Sequence, residues 1–157
     1  MNQTSDIPDI GAILGAAMQA IDPADRPLLL AALERLASQR YRDWANEHPD
    51  ESVKRGLNEC AEREQEIAQR VESVFTDAAE VQQRLLADNP DLEELNRTLF
   101  EGRPLNVQFA MQAQGERAGA AAWASFAAVA NDERVKTMLE SCGPLEEANA
   151  EFLDALI

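Results

Sequence analysis

An internal repeat constrains this chain more than any other feature. Residues 34–72 align with residues 116–154 without a gap, at a constant offset of 82 positions (116 − 34 = 82). Identical residues occupy 11 of the 39 aligned positions, whereas a composition rich in Ala and Glu gives roughly three by chance. The identical pairs include Asp50/Asp132, Glu51/Glu133, Val53/Val135, Lys54/Lys136, Cys60/Cys142 and Glu64/Glu146. We therefore predict two copies of one structural unit; convergent patterning of unrelated helices is the alternative.

Start and stop signals divide each copy into two helices. Asp22 before Pro23 predicts a helix start, Pro49 ends that helix, and Asp50 predicts the start of the next one. The predicted helices cover about 10–20, 23–47, 51–75, 105–130 and 133–157, and two short helices lie in the long connection 76–104. Gly143-Pro144 interrupts the last helix. The repeat unit is therefore a helical hairpin.

The composition supports an all-α fold. Aromatic residues make up only 5% of the chain, and residues that favour helices dominate. We expect residues 1–22 to form an N-terminal segment with a short helix, and residues 23–157 to form one four-helix domain. The long connection then joins the second and third main helices.

The net charge excludes one class of partner. The chain has 29 acidic and 14 basic residues, which gives a formal charge of −15. Nucleic acids and anionic membranes are bound mainly through Lys and Arg, so we expect neither as a partner. No membrane-spanning or leader segment is recognised in the sequence, and the two cysteines do not form a C-x-x-C pair, so we expect a cytoplasmic protein with reduced thiols.

Four glutamates fall on buried helix faces. At 100° per residue, Val53, Leu57 and Ala68 lie within about 40° of Glu64, in the middle of the apolar stripe. The same construction places Glu116 and Glu146 on the apolar stripes of their helices and Glu34 at the edge of its stripe, provided that the last helix continues across Pro144. Most other acids, such as Glu59, Glu62 and Glu66, project to the opposite face and are predicted to be solvated.

Four converging carboxylates require a compensating charge or protons. Burying one unpaired carboxylate costs several kcal/mol. Arg35 and Arg117 turn away from the stripes, so the sequence offers no obvious arginine partner. Two divalent cations would neutralise the four glutamates. We expect one or two hard cations, bound through oxygen ligands, with the carbonyl oxygen of Asn149 as a further ligand. Oxygen-only ligation favours Mn²⁺, Mg²⁺ or Fe over Zn²⁺.

In helix order, repeat and crossover, residues 23–157 resemble the ferritin-like superfamily, the di-iron carboxylate bundles that include rubrerythrin-like and bacterioferritin-like proteins. The resemblance implies a ferritin-like four-helix bundle and a site for two divalent ions, Fe or Mn, that binds iron or manganese or supports oxidoreductase chemistry. It implies Glu34 and Glu116 as the single glutamates, and Glu64 and Glu146 as the glutamates of two Glu-x-x-His motifs. Ile67 and Asn149 occupy the two histidine positions.

A metal-free reading competes with the metal site. In this alternative the bundle is degenerate, holds no metal and serves as an interaction or structural module. Some glutamates are then protonated, or accept hydrogen bonds from Tyr41, Gln112, Asn149 or the Trp123 indole, and their pKa values are raised.

The helix predicted over 105–130 is apolar nearly all round. Its second face consists of Ala118, Ala121, Ala122, Ser125, Ala128 and Val129. The N-terminal helix or the crossover covers this face in one interpretation, and a homodimer covers it in the other.

Overall fold

The computed structural model describes residues 7–157. Throughout that range the regular structure is helical, with eight α-helices and no strand, which confirms the all-α prediction. The helices are α1 (Ile10–Gln19), α2 (Arg26–Glu47), α3 (Glu51–Ser73), α4 (Ala78–Asp88), α5 (Asp91–Phe100), α6 (Leu105–Val129), α7 (Glu133–Glu140) and α8 (Gly143–Asp154). None of the helices in the described range is long and apolar enough to span a membrane. Part of the predicted N-terminal segment, residues 1–6, lies outside the described residues.

Aspartates begin both second helices of the repeat, as predicted. The Asp50 carboxylate accepts hydrogen bonds from the backbone N–H groups of Ser52 and Val53. Asp132 does the same for the two residues at the start of α7. These side chains satisfy N–H groups that have no partner inside the helix, so the sequence fixes where α3 and α7 begin.

The start predicted for α2 is wrong by three residues. The Asp22 carboxylate accepts the N–H of Ala24 in a turn, and α2 begins only at Arg26. Pro27 explains the difference: it has no N–H, so it cannot donate to the carbonyl of Pro23, and the helical ladder cannot extend back to that residue. Pro27 therefore lies in the first turn of α2, where the missing donor costs nothing.

The last predicted helix is divided in two. α7 ends at Glu140, α8 begins at Gly143, and Pro144 lacks the N–H that would continue the ladder. The connecting residues stay close to helical geometry, because the N–H of Cys142 donates to the carbonyl of Leu139 at 3.1 Å. The short turn keeps Leu139 and Glu146 on the same buried side of the chain.

The helices pack as two hairpins joined side by side. α2 packs along α3, α6 packs along α7 and α8, and α3 contacts both α7 and α8. In the interface between α3 and α8, a Cβ atom built on Gly56 would lie 2.1 Å from the ring of Phe152, so the hydrogen side chain is needed there. α2 and α6 make fewer contacts with each other, and α1 lies on α6 beside this gap.

α1 covers only part of the second apolar face of α6. Ala118 and Ala122 lie partly buried beside α1. The remainder of the face is exposed in the single chain, and Val129 at its end is 78% exposed. A homodimer through this face stays a prediction, which light scattering on the purified protein tests.

Candidate metal centre

Four different helices each bring one glutamate into the interior. Glu34 of α2 is 7% exposed, Glu64 of α3 is 0%, and Glu116 of α6 and Glu146 of α8 are 1% each. The predicted burial of all four is therefore confirmed. Glu59, Glu62 and Glu66 are exposed on the other side of α3, also as predicted.

Three of the four carboxylates meet closely. Glu34, Glu64 and Glu146 each have a carboxylate oxygen that lies within 4.8 Å of an oxygen of the other two. Glu116 lies next to the group, since it lines the same internal cavity as Glu34 and Glu146. Four helices thus bring four acids together in the interior. This arrangement depends on how the helices pack and not on the local structure of any one helix.

Glu116 is held by two neutral donors. The hydroxyl of Tyr41 donates to its Oε1 at 2.6 Å, and the side-chain amide of Gln112 donates to the same oxygen at 2.8 Å. Tyr41 comes from α2, whereas Gln112 lies one turn before Glu116 on α6. Both residues were named from the sequence as candidate partners of a buried glutamate, and the structure brings both to Glu116.

The other two predicted donors also reach glutamates. The indole Nε1 of Trp123 donates to Oε1 of Glu146 at 2.7 Å. The amide Nδ2 of Asn149 donates to Oε1 of Glu64 at 2.6 Å. Each bond joins a side chain to a carboxylate oxygen in the interior, where the loss of the donor leaves an unsatisfied acceptor.

Asn149 presents its nitrogen to the glutamates. Its carbonyl oxygen Oδ1 accepts a 3.1 Å hydrogen bond from Arg63, and its amide group also donates to the backbone carbonyl of Cys60. In this arrangement Asn149 positions Glu64. Its predicted role as an oxygen ligand requires the amide to turn over and to give up the bond from Arg63.

Two carboxylate oxygens have no partner in the described part of the chain. They are Oε2 of Glu64 and Oε2 of Glu116, and both are buried. A buried acceptor left without a donor costs about 1–3 kcal/mol, and more when it is charged. Each oxygen therefore requires a proton, a cation or a donor from outside the chain.

Burial shifts the proton equilibria of the cluster. Desolvation raises the pKa of Glu34 from 4.5 to about 7, and the neighbouring charge of Glu116 adds to the shift. Burial likewise raises the pKa of Glu64 and of Glu146 well above the usual value, and the surrounding glutamates raise both further. Without a cation, the centre therefore retains protons up to neutral pH.

One half-buried cation was not predicted from the sequence. The Arg40 guanidinium donates to Oε1 of Gln112 at 2.6 Å and to Oδ1 of Asn96 at 2.5 Å, and it lies 3.8 Å from the centre of the Phe100 ring. Burial lowers its pKa to about 10, so it stays charged at neutral pH. Arg40 lies at the edge of the apolar stripe of α2, about 20° from Leu33, and its long side chain reaches Gln112 of α6. The phase of α2 alone does not give this contact between helices.

Two further arginines point away from the carboxylate centre. Arg35 pairs with Glu72, and Arg117 pairs with Asp154, and these arginines are exposed. Neither contributes to the carboxylate centre, as predicted.

The centre can bind a hard cation, hold protons or accept hydrogen bonds. Comparison with protein-family models, with curated proteins and with solved structures gives no match to this chain. The ferritin-like resemblance accordingly stays a prediction from the sequence, and the geometry of the centre carries the functional argument.

Proposed function

We propose that the protein binds one or two divalent metal ions, Fe or Mn, at a carboxylate centre inside a ferritin-like four-helix bundle. The observation that carries the proposal is the meeting of Glu34, Glu64 and Glu146, whose carboxylate oxygens lie within 4.8 Å of one another in the interior. Three carboxylate oxygens at such short separations are a suitable set of ligands for one hard cation. Because these carboxylates are buried, a cation among them would relieve their mutual repulsion.

The order of the helices supports the bundle. Contacts run from α2 to α3, from α3 to α8, from α8 to α6 and from α6 to α2, which closes a ring of four helices. The chain between Ser73 and Leu105 crosses from the first hairpin to the second and contains two short helices. This connectivity and one acid on each helix are what the ferritin-like bundles have in common.

The residues present fit an oxygen-ligated ion. Glu64 and Glu116 each keep one buried oxygen without a partner in the described range, and the bonded Oε1 atoms are fixed in place by neutral donors. Glu34, Glu64 and Glu146 would hold a first ion, and Glu116 would complete a second position. Asn149, Trp123 and Tyr41 would orient the carboxylates without adding charge.

A bound Fe or Mn ion supplies Lewis acidity and a redox couple. The chain itself contributes a buried, acidic centre. Ligation by carboxylates alone favours the higher oxidation state of the metal, because each anionic oxygen stabilises positive charge. Trp123 and Tyr41 hold the carboxyl groups of Glu146 and Glu116 in place through hydrogen bonds.

Metal binding is tested directly. Protein purified without chelator is analysed for its elements, and chelator-treated protein is titrated with Mn²⁺ while free Mn²⁺ is followed by electron paramagnetic resonance. We expect Mn²⁺ to bind, and we expect Glu64→Gln to weaken the affinity by about tenfold or more. This substitution keeps the oxygen that accepts from Asn149 and changes only the oxygen that has no partner in the described range.

Glu62→Gln is the matched control. It makes the same chemical change on the same helix at an exposed position. We expect the Mn²⁺ affinity to be unchanged in this variant. Absence of bound metal in the purified protein, together with equal titrations for the two variants and the parent, would exclude the metal centre.

The metal-free alternative is supported by the four hydrogen bonds to the glutamates. If protons replace the ion, Tyr41, Gln112, Asn149 and Trp123 already satisfy one oxygen on each of three carboxyl groups. The protein is then a degenerate ferritin-like bundle that serves as an interaction or structural module. The metal-free alternative predicts that the unfolding temperature of the protein does not rise when Mn²⁺ is added.

A further inference from the structure

A cavity of about 130 Å³ lies between α1, α2 and α6. Most of its wall is apolar, and this part includes Leu14, Met18, Leu30, Leu33, Ala37 and Phe126. The carboxyl-bearing residues Glu34, Glu116 and Glu146 line it as well. The cavity exists because α2 and α6 make few contacts with each other, and α1 covers the gap between them.

The acidic end of the cavity is incompletely satisfied. Glu116 is 1% exposed, and its Oε2 has no donor among residues 7–157. Arg40 also lines the cavity, but its guanidinium donates to Gln112 and Asn96 and stacks on Phe100. The cavity therefore combines an apolar wall with an acceptor that requires a donor, next to two further carboxyl groups.

We propose that this cavity binds a short-chain primary alkylammonium ion, with its nitrogen at Glu116, beside Glu34 and Glu146, and its hydrocarbon chain against the apolar wall. The N–H groups of a primary ammonium can donate to Oε2 of Glu116, which has no partner in the described range. Its positive charge is favourable beside carboxyl groups that give up their protons when a cation binds. An anionic ligand is repelled at the same place. A neutral alcohol supplies only one donor and no charge.

The volume limits the length of the chain. An engineered apolar cavity of about 150 Å³ accommodates benzene, so about 130 Å³ holds roughly six non-hydrogen atoms. A ligand of that size has one nitrogen and four or five carbons. Each added methylene group should tighten binding about fourfold until the cavity is full, after which longer chains should bind more weakly.

This inference uses the glutamates of the proposed metal centre, but it does not require the metal. The metal centre and the cavity share Glu34 and Glu146 and differ by one residue. Glu64 belongs to the close carboxylate group, whereas Glu116 lines the cavity. Because Glu34 and Glu146 belong to both, we expect the ammonium ion and Mn²⁺ to exclude each other.

The experiment is calorimetric titration of the chelator-treated full chain with n-butylamine at neutral pH, where the amine is protonated. Ammonium chloride supplies the charge without the chain, and n-butanol supplies the chain without the charge. We expect n-butylamine to bind at least tenfold more tightly than either. Equal affinity for n-butylamine and n-butanol, or for n-butylamine and ammonium, overturns the proposal.

Glu116→Gln tests the polar end. It keeps the oxygen that accepts from Tyr41 and Gln112 and turns Oε2 into a donor group. We expect it to weaken n-butylamine binding by at least tenfold. Glu62→Gln, at an exposed position of α3, should change it by less than threefold. Equal binding of n-butylamine by the two variants contradicts the proposal.

Gly15→Leu tests the apolar end. Gly15 lines the cavity, and a Cβ atom built there meets no atom of the described residues within 4 Å, so the larger side chain has space to enter. We expect tenfold weaker binding of n-butylamine. The control Ala16→Leu enlarges the neighbouring exposed residue, which does not line the cavity, and should leave binding unchanged.

Leu14→Ala removes volume from the wall and keeps the test valid if Gly15→Leu fails to fold. We expect the preferred amine to become longer by one or two carbons, and an unchanged preference contradicts the proposal. If Mn²⁺ binds and amines do not, the cavity inference fails while the proposed metal centre stands. If amines bind and no metal does, the metal proposal fails and the cavity inference stands.

Discussion

Trp123 donates a 2.7 Å hydrogen bond from its indole nitrogen to Oε1 of Glu146, and both side chains are buried. The two residues lie on different helices of the second hairpin, α6 and α8. The chain contains one further tryptophan, Trp44, which donates to the neutral oxygen of Gln108 at 2.9 Å. The two tryptophans therefore form a natural pair for comparing an acidic with a neutral acceptor.

Trp123→Phe should destabilise the fold more than Trp44→Phe by about 1–2 kcal/mol, because it leaves a buried carboxyl oxygen unsatisfied. The free energy of unfolding is measured by urea denaturation of both variants. The difference should become smaller as the pH falls, because the raised pKa of Glu146 favours the protonated carboxyl group, which is a weaker acceptor. A difference that does not depend on pH would attribute the loss to packing alone.

Protonation of Glu34 should stabilise the metal-free fold in acid. Its pKa is about 7 in the folded chain and 4.5 as the ordinary value, so between these pH values the folded state keeps a proton that the unfolded state has released. The free energy of unfolding should therefore fall by about 3 kcal/mol as the pH rises from 4.5 to about 7. Urea denaturation in chelator at several pH values measures this slope.

Glu34→Gln should remove its share of that slope, since the amide does not titrate. Glu62→Gln, at an exposed position, is the control and should retain the slope of the parent. Equal slopes in the two variants would show that the buried centre does not control the pH dependence.

Cation binding should release protons. The raised pKa values of Glu34, Glu64 and Glu146 mean that a metal ion must displace protons below neutral pH. Mn²⁺ affinity should therefore increase from about pH 5.5 to about pH 7.5. Calorimetry in buffers with different ionisation enthalpies counts the released protons, and a count of zero at pH 6 contradicts the expectation.

Gly119→Ala should destabilise the protein although alanine favours helices. A Cβ atom at Gly119 would lie 2.6 Å from Oε1 of Glu146, so the carboxylate would have to move away from Trp123. We expect a net loss of about 1–2 kcal/mol. Gly15→Ala, in the interior of α1 with open space around its Cβ in the described chain, should instead gain about 1 kcal/mol. Thermal unfolding of both variants makes the comparison.

The two cysteines should be unreactive in the folded protein. Cys60 and Cys142 are buried free thiols, and burial raises their pKa values to about 12 and about 11. Almost no thiolate exists at pH 8, so a thiol-specific chromogenic reagent should react only after unfolding by urea. Two thiols should then titrate per chain. Rapid reaction of the native protein would show that these residues are accessible.

The sequence predicted where the helices lie and which face of each is buried. Asp50 and Asp132 begin their helices through bonds to nearby backbone N–H groups, and such local contacts can be recognised in a sequence. The burial of Glu64, Glu116 and Glu146 follows from helical periodicity. α2 begins later than predicted because Pro27 cannot donate the hydrogen bond that would extend the helix to Pro23.

Several features of the site are not accessible to such reasoning. Helical phase places Glu34 and Glu116 in the interior, but it does not give the distance between carboxylate oxygens of different helices. It also does not show that Arg40 reaches Gln112 and Asn96, or that Asn149 turns its nitrogen toward Glu64. These contacts depend on interhelical spacing and on the rotamers of long side chains.

By itself, the sequence determined the helices, the repeat and the burial of four acids, because caps, prolines and a 3.6-residue period act within one segment of chain. The tertiary structure decided which acids meet, which oxygens lack a partner in the described residues and where space remains between α2 and α6. Those properties arise from the packing of helices that are far apart in sequence, and so only the folded arrangement shows the carboxylate centre and its cavity.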